Sequence, residues 1–320
     1  MLKSRICDLF GIRFPIIQGA MAHLATAELV SAVSDAGGLG VIAAANYDAQ
    51  WLRDQIRKTR EHTKKPFGVN LYLPSPYIKE QIKLVLNEKV SVVVLGAGNP
   101  EEYLPLLRKA GLKVMPVISN VSMAKRLEIA GVDALVAEGS EAGGHIGTTG
   151  TMTLIPEVTR EVGIPVVAAG GIADGRGLAA ALALGAEGIQ MGTRFICSDE
   201  CLAHPAFKQK ILKSQDGSTV ITGTISGDRV RCLANAFTRD YLSLEKAGAT
   251  LEELEMVSHG RLFKGIVEGD IEEGWLMAGQ SCGLIKDIRP VKLIIEETAA
   301  EAEEIMANLY RGIHTEEDYA

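Results

Sequence analysis

The sequence predicts an α/β fold, a (β/α)8 TIM barrel with a small, mainly helical insertion after its eighth strand. Three observations predict it. Eight short apolar runs recur through the first two-thirds of the chain. Capped helical patterns separate them. After residue 198 the alternation stops, and only helical stretches follow.

The runs cover 15–19, 39–44, 67–71, 91–95, 113–118, 133–137, 165–169 and 188–192. Each is apolar nearly throughout rather than alternating, as parallel strands buried on both faces should be. Between them, Thr26 is placed to cap 27–36, with Gly37 as the stop. Asp48 is placed to cap the segment with Trp51, Leu52 and Ile56. Ser75-Pro76 and Asn99-Pro100 each join an N-cap residue to proline at the first helical position. Gly111, Gly131, Gly163 and Gly185 end helical patterns where a left-handed residue is expected. Eight such units without an antiparallel edge favour a closed barrel over an open doubly wound sheet.

From 198 to 273 the pattern reads as helical stretches at 207–213, 233–246 and 251–256, with no further βα unit. A helical stretch at 291–309 then completes the outer ring. The expected division is a barrel of 1–197 and 274–320, with 198–273 as the insertion. Barrel sites lie at the C-terminal ends of the strands, so an insertion there would roof the site.

Composition limits the function classes. The 320 residues are 47% hydrophobic, enough for one large core. A net charge of −7 gives no basic face for nucleic acid. No run reaches the ~18 apolar residues of a membrane span, and the N-terminus has no apolar leader. Five scattered cysteines fit a reducing compartment, so a cytoplasmic protein is expected. Cys197 and Cys201 stand four apart without a second ligand pair, so no metal site is expected.

The glycines gather at one edge of the expected barrel. Gln18-Gly-Ala-Met21 follows the first run, and Asn70 ends the third. The loop Glu138-Gly-Ser-Glu-Ala-Gly-Gly-His-Ile-Gly147 follows the sixth, Gly170-Gly171 the seventh and Gly192-Thr193 the eighth. Loops after the last two strands of a barrel commonly hold phosphate through backbone N–H groups. The Thr193 hydroxyl adds a donor. A small phosphorylated metabolite and a phosphate-bearing cofactor both fit. Glycine-lined loops and the amides of Asn70 and Gln190, which match the edge of a flavin, favour FMN. His145 is the side chain of the sixth loop whose ordinary pKa lies near neutral pH, and it is the candidate acid or base. The glycines around it are expected to make room for the flavin.

Five of these segments carry a resemblance: Gln-Gly-Ala-Met21, Phe-Gly-Val-Asn70, Ala-Glu-Gly-Ser-Glu-Ala-Gly-Gly-His145, Ala-Ala-Gly-Gly-Ile172 and Gln-Met-Gly-Thr193. Their order resembles that of the superfamily of nitronate monooxygenases and flavin-dependent type II enoyl-acyl-carrier-protein reductases, over nearly the whole chain. Thr151-Met-Thr-Leu154, Gly-Thr-Arg-Phe195 and Met277-Ala-Gly-Gln280 lean toward the reductases. The resemblance implies FMN lined by Gly19, Ala20, Met21, Asn70, Glu138 and Gly143. Gly170, Gly171, Gln190, Met191, Gly192 and Thr193 would hold its ribityl and phosphate. Ala20 departs from relatives with glycine there. The resemblance also implies NADH or NADPH as co-substrate, an acyl carrier protein bearing an enoyl thioester as partner, and a homodimer. In that reading His145 supplies the α-proton or stabilises the thioester oxygen. Nitronate monooxygenase and NAD(P)H:quinone reductase are alternatives on the same scaffold, and a flavin-free sugar-phosphate barrel is a third.

Two side features complete the reading. His23 is near enough to Met21 to reach the site, His204 reads as loop structure, and His62, His259 and His314 as surface. Residues 204–239 hold six basic side chains (Lys208, Lys210, Lys213, Arg229, Arg231, Arg239) against two acidic, a possible face for an acidic carrier protein.

Overall fold

A computed structural model describes residues 4–313. His314 and the first three residues, read above as surface and as leader-free N-terminus, lie outside them. The described residues contain eleven strands: β1 (Ile16–Gln18), β2 (Gly40–Ala43), β3 (Phe67–Tyr72), β4 (Val92–Gly96), β5 (Lys113–Ile118), β6 (Leu135–Glu138), β7 (Gly144–His145), β8 (Val166–Ala169), β9 (Gly188–Met191), β10 (Thr219–Thr222) and β11 (Val230–Leu233). Eight of them coincide with the predicted runs. They pair in parallel in the order β1-β9-β8-β6-β5-β4-β3-β2. The ring closes between β1 and β2, where Leu39 N–H donates to Ile16 O and Gln18 N–H to Leu39 O, each at 3.0 Å. The fully buried Gln18 side chain reinforces this seam by accepting from Val41 N–H at 3.1 Å.

The apolar character of the runs follows from burial on both faces. Ile17, Val41, Val92, Met115, Val136 and Val167 fill the inside of the barrel. Their neighbours Ile16, Ile42, Val93, Val114, Leu135 and Ala168 face the helices. Ile6 and Phe10, from the N-terminal helix Arg5–Phe10, join the inner cluster and plug one end. The C-terminal helix Val291–Ile313 packs beside helices Gly175–Ala183 and Ala27–Asp35, completing the outer ring. No helix among the described residues is long and apolar enough to cross a membrane.

Most helix punctuation matches the expectation. Asp48 accepts from Trp51 N–H at 2.8 Å, and Asn99 caps a short 3-10 turn headed by Pro100. Gly37, Gly111, Gly131 and Gly185 are left-handed. Two details differ. The Ser75-Pro76 helix starts later, at Ile78, because Ser75 Oγ instead accepts from Tyr77 N–H. Gly163 is no left-handed cap: helix Thr151–Glu161 leaves through extended Val162, and Gly163 N–H donates to the Glu128 carboxylate.

The larger difference lies after β9. Between residues 198 and 273 four helices are present, Pro205–Leu212, Ala236–Lys246, Leu251–Ser258 and Arg261–Ile266. An unpredicted antiparallel hairpin, β10–β11, stands among them, and β11 also pairs with β7 to make a three-stranded sheet. The two hairpin strands, Thr-Val-Ile-Thr and Val-Arg-Cys-Leu, are rich in β-branched residues. Gly223 permits their turn, with φ +72° and the Asp228 carbonyl 1.8 Å from where a Cβ would sit. Asn235 then caps the next helix, so the expected helical start at 233 shifts to Ala236. Phe237, Tyr241 and Leu254 form a small separate core against Trp275.

Candidate active site

At the C-terminal ends of the barrel strands lies a cavity of about 550 Å³. Its room comes from the top inward layer, where Gly19, Ala43, Gly96 and Ala169 occupy positions that larger side chains fill lower down. Leu262 and Ile266 of helix Arg261–Ile266, with Met277, Gly279 and Ser281, line its far side.

Of the expected site residues, His145, Gly19, Ala20, Met21, Asn70, Glu138, Gly143, Gly170, Gly171, Gln190, Gly192 and Thr193 all line this one cavity. Met191 does not. Strand alternation turns its side chain, 1% exposed, into the core between sheet and helices, and only its carbonyl is near, accepting from Gly19 N–H. Asn70 and Gln190 line the cavity, and neither amide side chain has a protein hydrogen-bond partner among the described residues. Gly170 and Gly171 are left-handed, at φ +96° and +77°. Among the described residues, the N–H groups of Gly171 and Gly192 meet no protein acceptor. Two planar amides and free backbone donors lining one cavity suit a flat heterocycle with an anionic tail.

The loop glycines also have a use within the protein. A Cβ on Gly143 would lie 2.6 Å from the Ala278 carbonyl carbon, one on Gly147 2.6 Å from Ser119 Cβ, and one on Gly139 2.0 Å from Thr151 Oγ1. They admit protein backbone and side chains, and the open face of the loop is at Gly144, with only Met277 Sδ 3.7 Å away. The 278–279 backbone is threaded between this loop and the start of the short helix Thr193–Ile196, with Gly279 N–H donating to Thr193 Oγ1 at 2.9 Å.

The unpredicted hairpin fixes the same loop. In the β7–β11 ladder Gly144 pairs with Arg231 and His145 with Val230, and Ile146 N–H donates to Arg229 O at 3.0 Å. The buried Arg231 guanidinium donates to Ser140 O and to Thr219 Oγ1, each at 2.9 Å. This pins the start of the loop to the hairpin.

The imidazole of His145 lies half exposed at the cavity's mouth, its Nε2 3.4 Å from Asp228 Oδ1. The Asp228 carboxylate raises the histidine's pKa against the opposing effect of burial, and Glu138 adds to the rise. Contact with His145 in turn lowers that of Asp228. Burial pushes Glu138 up to about 7, with His145 acting the other way. The loop therefore holds two titratable groups whose pKa values are both raised, where the sequence pointed to one. The Tyr72 ring lies 6.3 Å from that of His145. Its pKa is raised by burial and by Asp228, so it stays a neutral hydroxyl.

Tyr72 and Asp228 were missed in the sequence. Tyr72 was findable, since it stands two residues past Asn70 and so faces the same way from β3. Asp228 depends on the hairpin. The remaining histidines separate from the site. His23, left-handed at φ +66°, bonds Tyr47 Oη and packs edge-on against Phe263, and burial lowers its pKa. His204 caps helix Pro205–Leu212 through Nδ1, and His62 and His259 are exposed.

The expected basic face is largely internal. Lys208 is buried, donating to Ser198 O at 2.6 Å; Lys210 bonds Ile271 O and Glu272; Arg231 is the loop pin. In this stretch Lys213 and Arg239 are exposed and Arg229 partly so.

Comparison with known proteins agrees with this architecture. The nitronate monooxygenase family model matches residues 3–83 and 76–301. FabK of Thermotoga maritima is 46% identical and superimposes with a TM-score of 0.96, covering 98% of this chain and 100% of its own. A probable nitronate monooxygenase of Staphylococcus saprophyticus is 34% identical over 95% of this chain and 99% of its own. A Mycobacterium tuberculosis protein, (3aS,4S,5R,7aS)-5-hydroxy-7a-methyl-1-oxo-octahydro-1H-indene-4-carboxyl-CoA dehydrogenase, is 33% identical over 94% and 96%. The chain therefore belongs to the nitronate monooxygenase family of oxidoreductases.

Proposed function

We propose that this protein reduces trans-2-enoyl thioesters at the expense of NADH or NADPH, with FMN in the cavity. The observation that carries the reading is the likeness to FabK, a type II enoyl-acyl-carrier-protein reductase, at 46% identity over 98% of the chain. A second relative is named for a CoA thioester substrate, the same chemical class of carrier bond. The nitronate monooxygenase reading is the runner-up, favoured by the family model and by the Staphylococcus relative.

Asn70 and Gln190 would face the edge of the FMN ring, and Gly170, Gly171, Gly192 and Thr193 its phosphate end. FMN, when bound, supplies hydride transfer between the nicotinamide and the substrate's β-carbon. The chain's own residues handle the proton. His145, whose protonated form Asp228 favours, stands at the mouth to donate to the α-carbon or to stabilise negative charge on the thioester oxygen. The roof residues Leu262 and Ile266 exclude water and offer an apolar wall to an acyl chain.

Acyl carrier protein is the proposed bearer of the enoyl chain, and exposed Lys213 and Arg239, with partly exposed Arg229, are the basic groups of the 204–239 stretch left to meet it. Five free cysteines support a reducing, cytoplasmic setting, and a homodimer is the expected assembly. His145→Ala should retain FMN and lose turnover of a crotonyl-type thioester by roughly 10²–10⁴-fold. Near-full activity in that variant would overturn the assignment.

A further inference from the structure

We propose that Asp228, carried on the turn of the β10–β11 hairpin, is a positioning residue that orients and charges His145, so that the segment after β9 builds half of the proton-handling group. The proposal rests on His145 acting in the reductase reading above. Three observations place Asp228 by design of the fold rather than by side-chain chance. The ladder between β11 and β7 sets the hairpin against the histidine, pairing Val230 with His145 and bonding Ile146 N–H to Arg229 O. The turn is held closed by Gly223, whose backbone touches the Asp228 carbonyl, and by Gly227 N–H donating to Gly223 O at 3.0 Å. The buried Glu245 carboxylate of helix Ala236–Lys246 clamps the turn's other side, accepting from Ile225 N–H at 2.8 Å and Ser226 N–H at 3.2 Å.

An aspartate fixed in this way holds the imidazole ring in one orientation and favours its protonated form. The charged and titratable groups facing His145 are Asp228 from the turn, Glu138 from the end of β6 and Tyr72 from the end of β3. Asp228 is the one within ion-pair distance, at 3.4 Å. Its removal leaves Glu138 as the nearby carboxylate.

The test follows the His145 imidazole by NMR titration in the FMN-loaded enzyme, alongside turnover of a crotonyl thioester. In Asp228→Asn the imidazole should titrate at lower pH than in wild type. The thioester kcat should fall roughly tenfold or more, with KM for the nicotinamide unchanged. Asp228→Glu should restore part of both. Glu245→Gln should move the titration the same way by less, and exposed Asp240→Asn should not move it. An unchanged His145 titration in Asp228→Asn overturns the proposal, whatever the activity. A shifted titration in an enzyme whose wild type turns over no enoyl thioester upholds the positioning role and removes the reductase reading instead.

Discussion

Arg231→Met is the sharpest probe of how the hairpin and the glycine loop hold together. Met keeps the length of the stem and removes both bonds, to Ser140 O and Thr219 Oγ1. A hydrogen bond to a charged group contributes roughly 1.5–3 kcal/mol, so two contribute about 3–6 kcal/mol. Removing the buried guanidinium also removes its desolvation cost, which offsets part of that and leaves a net loss of about 2–4 kcal/mol. The loss falls on local opening of 139–147 rather than on the barrel, whose seam and core do not involve Arg231. Amide hydrogen exchange reads this directly. At Ile146, bonded to Arg229 O, exchange should speed up by roughly 30- to 1,000-fold, at one decade per 1.4 kcal/mol. Amides of β3 and β4 should be unchanged, as should every amide in an Arg239→Met control. An acceleration under about threefold at Ile146 would refute the pin, because that is less than one neutral hydrogen bond.

Further outcomes follow from the same geometry. Lys208→Met should lower stability by about 1–3 kcal/mol, seen as a lower thermal midpoint, since it strands the buried Ser198 carbonyl, while exposed Lys213→Met should stay within ~0.5 kcal/mol; equal effects would contradict the burial. Gly170→Ala should weaken FMN binding about tenfold or more in a fluorescence titration, because φ +96° is strained for alanine and its Cβ would crowd Gly139 O at 2.8 Å; unchanged affinity would argue against that loop as the anion end. The Glu138 carboxyl, raised to about 7, is a group whose stabilising contribution is present below its unfolded value near 4.5 and lost as pH rises through 7. Glu138→Gln should therefore gain stability relative to wild type above pH 7, by up to about 3 kcal/mol, and a denaturation series with no such pH dependence would contradict the buried carboxyl. His145 has the same sign: its raised pKa favours the fold below about 6.5 and that contribution fades as pH rises through the folded value, so His145→Ala should flatten the stability profile in that window.

The barrel was legible because its physics is local and repeated. A strand covered on both faces must be apolar throughout, so each of the eight runs announced itself, and Asp48 and Asn99 marked helix starts by cap chemistry alone. The cavity was legible because it is where glycine and alanine replace the bulk that the lower layer requires. Met191 was misplaced because a run of site residues, 190–193, was taken as one surface, although alternation turns every second side chain away. The hairpin was lost because two four-residue strands around a long turn give a weak periodic signal beside strong helical neighbours. That loss carried others with it. Arg231 and Lys208 counted as surface charge because a sequence shows charge without burial, and Asp228 had no visible partner until β11 was seen beside β7. The loop glycines were legible as a requirement for close approach, and what approaches includes the protein's own Ala278 backbone at Gly143, Ser119 at Gly147 and Thr151 at Gly139.

Enoyl thioester reduction in this cavity is open to a direct test. The direct measurement is anaerobic stopped-flow absorbance of the purified FMN-loaded protein, mixed first with NADH or NADPH and then with crotonyl thioester, a nitronate or a quinone. The nicotinamide should bleach the flavin colour and the thioester should restore it far faster than the other two acceptors, with His145→Ala slow in the second step. Colour lost with a nitronate in the absence of any nicotinamide, and no restoration by the thioester, would contradict the reductase reading.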